Sequence, residues 1–456
     1  MKIRLVKFRD IIECMRFDGG YHNADVNIYD SIIKKHSHHK LSYYCSEIFS
    51  TGRNKRTYTT PEFGYPFLSN SDVVAADPFM SCKYCSRKYD FDEKAVLKAG
   101  MILTGRVGAI GQTAFVPSYL EKAKAMGSDN IIRIVVKSEY RKGFIYAYLS
   151  SKMGQLSFWK YATGGVQPFI TEVMVGQLPI PSLSEVFQEE IDELIQKSSK
   201  LKEEAKDILK QAQELVLDYC NNAYDHRHVN CTRQINLSSV KASFKTRLDP
   251  TVYINKGVEW VKNLDNEIIE LGECNIKMWY PGMFKRVYVK NGYPYIKGSS
   301  IFDINPFKTC NYLSKTKTPK IEELVLTTGL LLITCAGLCG KVKIITKEYE
   351  DKHAIGSPDI IRLISNDNLI TTEYLFVYMQ MPAIYDYIQS LKYGSVIERI
   401  DTYNLEKLPI VKPSIQLSEY ITELVHQYME CTYQAFIAEE KAIQMIEQEI
   451  ESWNKK

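Results

Sequence analysis

Residues 178–219 read LPIPSLSEVFQEEIDELIQKSSKLKEEAKDILKQAQELVLDY, and residues 408–449 read LPIVKPSIQLSEYITELVHQYMECTYQAFIAEEKAIQMIEQE. In the first stretch apolar or small residues fall at Ile191, Leu194, Ser198, Leu201, Ala205, Ile208, Ala212, Leu215 and Tyr219, in steps of three and four throughout. That is the period of a coiled-coil seam. The second stretch repeats it at Ile421, Leu424, Tyr428, Cys431, Ala435, Ala438, Ala442 and Met445, each 230 residues further on. Two equivalent long helices are predicted, packed antiparallel, with paired alanines permitting close approach. About 35 residues at ~1.5 Å each would make a spacer of roughly 50 Å. Each helix follows a proline cluster, Pro179 and Pro181 or Pro409 and Pro413, and proline disfavours helix at the residue before it.

The repeat extends upstream of the helices. Arg16-Phe17-Asp18 matches Arg247-Leu248-Asp249, Lys55-Arg56 matches Lys285-Arg286, and Gly64-Tyr65-Pro66-Phe67 matches Gly292-Tyr293-Pro294-Tyr295. Gly108 and Gly111 match Gly337 and Gly340, Ile131-Ile132-Arg133-Ile134 matches Ile360-Ile361-Arg362-Leu363, and Gly164, Val166 and Ile170 match Gly394, Val396 and Ile400. The offset stays between 228 and 231. Within each copy, short apolar runs such as Met101 to Leu103 and Ile131 to Val136 read as strands, while Phe144 to Leu149 and Tyr374 to Met379 read as short helices. The fold class is therefore α+β: two mixed α/β domains related by an internal repeat and separated by two long antiparallel coiled-coil helices. The predicted boundaries are 1–183, 184–224 for the first helix, 231–413, and 414–456 for the second.

Composition narrows the function. The balance of 45% hydrophobic and 25% charged residues is that of an ordinary globular chain. The first residues, MKIRLVKFRDII, lack the pattern of a secretory signal, and the most apolar run, Leu324 to Thr334, is about half the length a membrane span requires. Eleven scattered cysteines fit reduced thiols in a cytoplasm better than a disulfide framework. Cys82 and Cys85 form a CxxC without the second pair a zinc site needs. His36, His38 and His39 beside Lys34, Lys35 and Lys40 read as a solvated basic loop. No metal is expected.

Charge follows the same boundaries. Residues 1–183 carry 25 Lys/Arg against 16 Asp/Glu and residues 231–413 carry 24 against 19, whereas residues 184–230 carry 6 against 11 and residues 414–456 carry 3 against 8. Basic globular surfaces suit phosphates, and acidic helices suit protein partners. Arg53, Lys55, Arg56, Lys285 and Arg286 are the foremost candidates for DNA contact, joined by Arg106, Gln167, Lys297 and Lys341. The seam residues Ile191, Leu194, Leu201, Ala205, Ile208, Ala212, Leu215, Ile421, Leu424, Ala435, Ala442 and Met445 are candidates for helix pairing and partner docking.

Catalytic readings fare poorly. Asp77-Pro78-Phe79 and Asn305-Pro306-Phe307 have part of the (D/N)PP(Y/F) pattern of amino-methyltransferases, but both lack the second proline and they match each other across the repeat. The GxxG at Gly108 and at Gly337 has no following Lys and hydroxyl to make a phosphate loop, so tight turns are the simpler account.

The whole chain resembles the specificity subunits of type I restriction-modification enzymes. Ile102-Leu103-Thr104-Gly105-Arg106-Val107-Gly108-Ala109-Ile110-Gly111 is similar to that family's glycine motif, and Gly164-Gly165-Val166-Gln167 through Leu178-Pro179-Ile180-Pro181 is similar to its end-of-domain signature. The second copy departs from the motif, with Cys335 in place of Arg106 and Cys339 in place of Ile110. The resemblance implies a non-catalytic subunit whose two target recognition domains each read half of a bipartite site in double-stranded DNA. It implies helices that dock two methylation subunits, which hold S-adenosylmethionine and modify adenine, while restriction motor subunits cut. No cofactor is implied in this chain. The alternatives are a coiled-coil scaffold that binds only protein, and a DNA-specificity subunit of another multisubunit defence system.

Overall fold

The computed structural model of the chain describes residues 5–22, 24–53, 55–221, 224, 234–242, 247–394, 396 and 398–453. By its contacts the chain forms two units, residues 1–203 with 434–456, and residues 204–433. Each unit holds one copy of the repeat and one half of each long helix. Those helices run Glu185–Cys220 and Ile415–Ser452.

In the first unit the apolar run Ile131–Val136 pairs antiparallel with Cys45–Phe49 on one side and Ile102–Gly105 on the other, and Thr113–Phe115 completes a four-stranded sheet. A second four-stranded sheet orders Tyr58–Thr59, Lys83–Ser86, Gly64–Leu68 and Met126–Gly127, its last pair parallel. His38–Lys40 pairs with Pro179–Pro181. The basic histidine segment is solvated as expected but is not all loop: Lys34 and Lys35 end the helix Ala24–Lys35 and His38–Lys40 is strand, while His36 caps the Ile32 carbonyl at 2.9 Å and stacks on Trp453, and His39 stacks on Tyr43.

The helix Lys142–Ser150 is apolar all round and buried from Gly143 to Ser150, as expected of an element enclosed by a sheet and other helices. It crosses the first long helix so closely at Gly143 that a Cβ there would lie 2.6 Å from the Asp192 carboxylate and 3.0 Å from the Ile195 side chain. The core of this unit joins Phe144, Tyr148 and Phe158 to Ile191, Ile195, Ala442, Ile446 and Ile450. Further along, the Ser198 hydroxyl donates to the Ala435 carbonyl at 2.8 Å. As one helix advances the other recedes, so the pair is antiparallel.

The second unit repeats this plan. Ile276–Trp279, Ile360–Ser365, Leu331–Thr334 and Val342–Ile344 form one sheet, Tyr288–Val289, Asn311–Leu313, Tyr293–Ile296 and Ile355–Gly356 the other, and Ile268–Glu270 pairs with Pro409–Val411. Its core packs Tyr374, Leu375 and Tyr378 on Ala212, Val216, Ile421 and Leu424. Gln211 donates to the Tyr420 hydroxyl at 3.0 Å and the Tyr219 hydroxyl to the Lys412 carbonyl at 3.2 Å, again an antiparallel pair. Among the described residues no disulfide forms, and no helix is long and apolar enough to cross a membrane.

Candidate nucleic-acid interface

The basic segments lie on loops that enter the second sheet of each unit. Arg53 and Lys55 are exposed, whereas Arg56 is drawn in: it pairs with Asp129 and lies 4.5 Å over the Phe67 ring. Lys285 is exposed, and Arg286 is drawn in likewise, its Nε donating to the Tyr295 hydroxyl at 2.9 Å and its guanidinium 4.0 Å from Asp359. Each basic pair therefore splits into a cation facing solvent and an arginine that fastens the loop to an aspartate and a ring. Beside the first loop a cavity of about 180 Å³ is lined by Lys55, Arg56, Phe67, Tyr89 and Asp129 among others.

The glycine motif forms a tight turn after the Ile102–Gly105 strand. Gly108 and Gly111 have φ of +78° and +77°, and Gly337 and Gly340 have +72° and +83°, values that favour glycine. Beside this turn lies the loop closed by Thr163 and Phe169, whose backbones bond each other at 2.8 and 2.7 Å. The two are stitched together where Val107 bridges Phe169 and the Ile170 amide donates to the Arg106 carbonyl at 2.9 Å. Arg106 stands at the junction, its side chain 38% exposed and 3.9 Å from Glu172, and Gln167 is exposed on the loop. Lys297 is exposed after the Tyr293–Ile296 strand, while Lys341 is half-buried and reaches 3.9 Å over the Tyr385 ring. The structure brings Arg106 and Gln167 together on one junction; Arg53, Lys55 and Arg56 form a separate group.

Arg133 and Arg362 carry a role the sequence did not reveal. Both are fully buried in mid-strand. Arg133 donates to the carbonyls of Gly127, Ser128, Ile131 and Ala95, and Arg362 to those of Gly356, Ser357 and Ile360. Burial pulls both guanidinium groups down to about 10. They hold the loop that precedes their strand, and Asp129 and Asp359 on that loop are the anchors of Arg56 and Arg286.

The methyltransferase-like tripeptides are turns. The Phe79 amide donates to the Asp77 carboxylate at 3.2 Å and the Phe307 amide to the Asn305 side chain at 3.1 Å, the short polar side chain closing its own backbone. Each turn seats its phenylalanine against a tyrosine, Tyr119 or Tyr349. Among the described residues no group of three or more His, Cys, Asp or Glu could hold a metal ion.

On the helices Ile191, Ala205, Ala212, Ile421, Leu424, Ala435 and Ala442 are buried, and Leu194, Leu201, Ile208, Leu215 and Met445 are half-buried. Ile195, Val216 and Ile446, one residue further on, are buried in their place. The cause is that each helix faces its partner and a globular sheet together, which widens the apolar stripe beyond a two-position seam.

The sequence model described as the type I restriction modification DNA specificity domain matches residues 265–444. No curated protein matches. Among solved structures, the type I restriction-modification S subunit from M. genitalium aligns at 14% identity over 91% of this chain and 95% of that one, with a TM-score of 0.37. The HsdS subunit from Thermoanaerobacter tengcongensis aligns at 14% identity over 91% and 95%, with a TM-score of 0.27. The match falls on the second copy of the repeat, and the first unit has the same sheet order as the second. Over residues 265–444, which span most of the second copy of the repeat and most of the second long helix, this chain is similar to the type I restriction modification DNA specificity domain.

Proposed function

We propose that residues 1–183 and 231–413 each read one half of a bipartite double-stranded DNA site, and that the helices at 184–224 and 414–456 dock two methylation subunits. Those subunits hold S-adenosylmethionine and methylate adenine in the cytoplasm, and restriction motor subunits join them for cleavage. What carries the reading is the duplication itself: two copies of one fold, each with an excess of basic residues, joined by helices with an excess of acidic ones. Two separate readers on a stiff connection fix half-site spacing by geometry. Exposed Arg53, Lys55, Lys285 and Lys297 supply phosphate contacts that set register, and base discrimination falls to loop side chains such as Gln167.

The test is methylation by the purified chain with and without its methylation subunits, read by methylome sequencing. Adenine methylation at one two-part sequence, only when both are present, is the expected result. Methylation by this chain alone would overturn the reading.

A further inference from the structure

Cys335 occupies the position of Arg106, so the second copy lacks the arginine of the glycine motif. The structure shows where that charge has gone. In the first unit Arg106 precedes Val107, which bridges Phe169. In the second unit Ala336 bridges Arg399, the counterpart of Phe169, and the Ile400 amide donates to the Cys335 carbonyl at 3.0 Å as the Ile170 amide does to Arg106. Arg399 is exposed. Burial raises the Cys335 thiol, and the Tyr280 hydrogen bond and then the Arg399 charge work against that rise. One unit has arginine on the turn and phenylalanine on the loop; the other has cysteine on the turn and arginine on the loop. The cation has crossed the bridge while the junction has kept it.

Both junctions also bear an apolar tip. Val166 and Val396 are 103% and 93% exposed, on loops closed by the same pair of backbone bonds, Thr163 with Phe169 and Tyr393 with Arg399. Gly164 and Gly394 turn into these loops at φ of +102° and +100°. A fully exposed branched apolar residue retained beside a cation in both copies describes a surface that meets a partner. Duplex DNA fits best, because phosphates take the cation and the sugar edge or a groove wall takes the valine.

We propose that Arg399 does for the second domain what Arg106 does for the first: each holds a DNA phosphate at the junction of the glycine-motif turn and the valine-tipped loop. This rests on the reading of both domains as DNA-binding. The experiment is binding of the purified full-length chain to a fluorescent duplex, followed as salt is raised. A phosphate contact contributes a slope of about 0.9 in log K against log salt, so each loss costs about eightfold in affinity at ~0.1 M salt. Arg399→Gln and Arg106→Cys should each flatten the slope by about 0.9 and the double variant by about twice that. Arg106→Cys with Phe169→Arg, which gives the first unit the arrangement of the second, should restore the slope. Wild-type binding without salt dependence would remove the DNA-binding reading and this inference with it. A steep wild-type slope that Arg399→Gln leaves unchanged, or an Arg106→Cys loss that Phe169→Arg does not recover in a chain melting at the wild-type temperature, would overturn the inference alone. So would variants with normal slopes that fail only to assemble with methylation subunits, since the junction would then be a protein contact.

Discussion

Arg133 and Arg362 hold three or more carbonyls each without a carboxylate partner, and in both the Nε is buried without a hydrogen-bond acceptor among the described residues. Replacing Arg133 by Met would keep the apolar stem and strip the guanidinium donors from the Gly127 and Ile131 carbonyls, while the Ser128 carbonyl keeps the Ile131 amide at 3.2 Å. Each such group costs about 1–3 kcal/mol, so Arg133→Met should destabilise the protein by about 3 kcal/mol or more; a change in urea midpoint worth under ~0.5 kcal/mol would show that water replaces the guanidinium. Arg56 and Arg53 should part company in the same way. Arg53→Ala and Lys55→Ala should flatten the salt slope of DNA binding by about 0.9 each and leave the melting temperature in place. Arg56→Ala should lower the melting temperature, because it frees Asp129 and uncovers Phe67; an Arg56→Ala protein that melts normally would count against a fastening role. The pairing of Lys55-Arg56 with Lys285-Arg286 was legible in the sequence. The difference between neighbours was not, because it depends on aspartates about 73 residues away in the chain. The buried arginines were hidden for another reason: charged side chains are almost never fully buried, and a strand of isoleucines broken by arginine reads as one polar face.

The long helices were the most legible elements, and each begins a few residues after its proline cluster. What periodicity could not give was the width of the apolar stripe or the polar residue inside it. In the first unit the buried Glu439 accepts from the Tyr146 hydroxyl at 2.7 Å and from Lys202, with Ser198 at 3.5 Å. At the matching place in the second unit Phe376 packs on Tyr428 at 5.7 Å between ring centroids. Two halves built to one plan thus use a charged network in one and rings in the other. Lys202→Met should cost about 1–3 kcal/mol, because it strips a charge-assisted bond from a carboxylate that stays buried. Replacing the set together, with Tyr146→Phe, Lys202→Met and Glu439→Leu, should recover most of that loss, since buried ion pairs exchange for apolar groups at little net cost. Chemical denaturation of both variants decides it. A triple variant less stable than the single would mean that the network contributes more than its desolvation takes away.

At the scale of the whole molecule, the chain passes from one unit to the other inside the first long helix, between Glu203 and Glu204, and returns inside the second, between Tyr433 and Gln434. Both passages lie within uninterrupted helix. The repeat foretold two domains and two helices, but a repeat boundary is a fact of sequence and a unit boundary is a fact of packing, and antiparallel pairing makes each domain pack on its own helix and on the other copy's. Adding one heptad at each passage keeps the buried stripe in phase and lengthens each helix by about 10 Å. If the helices set the distance between the two readers, the non-specific gap of the DNA site should lengthen by up to about 3 base pairs, at ~3.4 Å per base pair. Each added base pair also turns the second half-site about the duplex axis, so binding should survive only in registers that present the same groove to both domains. The half-site sequences themselves should not change, because neither reader is altered. Methylome sequencing of cells making the lengthened chain with its methylation subunits reads both quantities at once. An active variant with the original gap would show that the helices do not act as the ruler, and altered half-sites at an unchanged gap would place base reading on the helices.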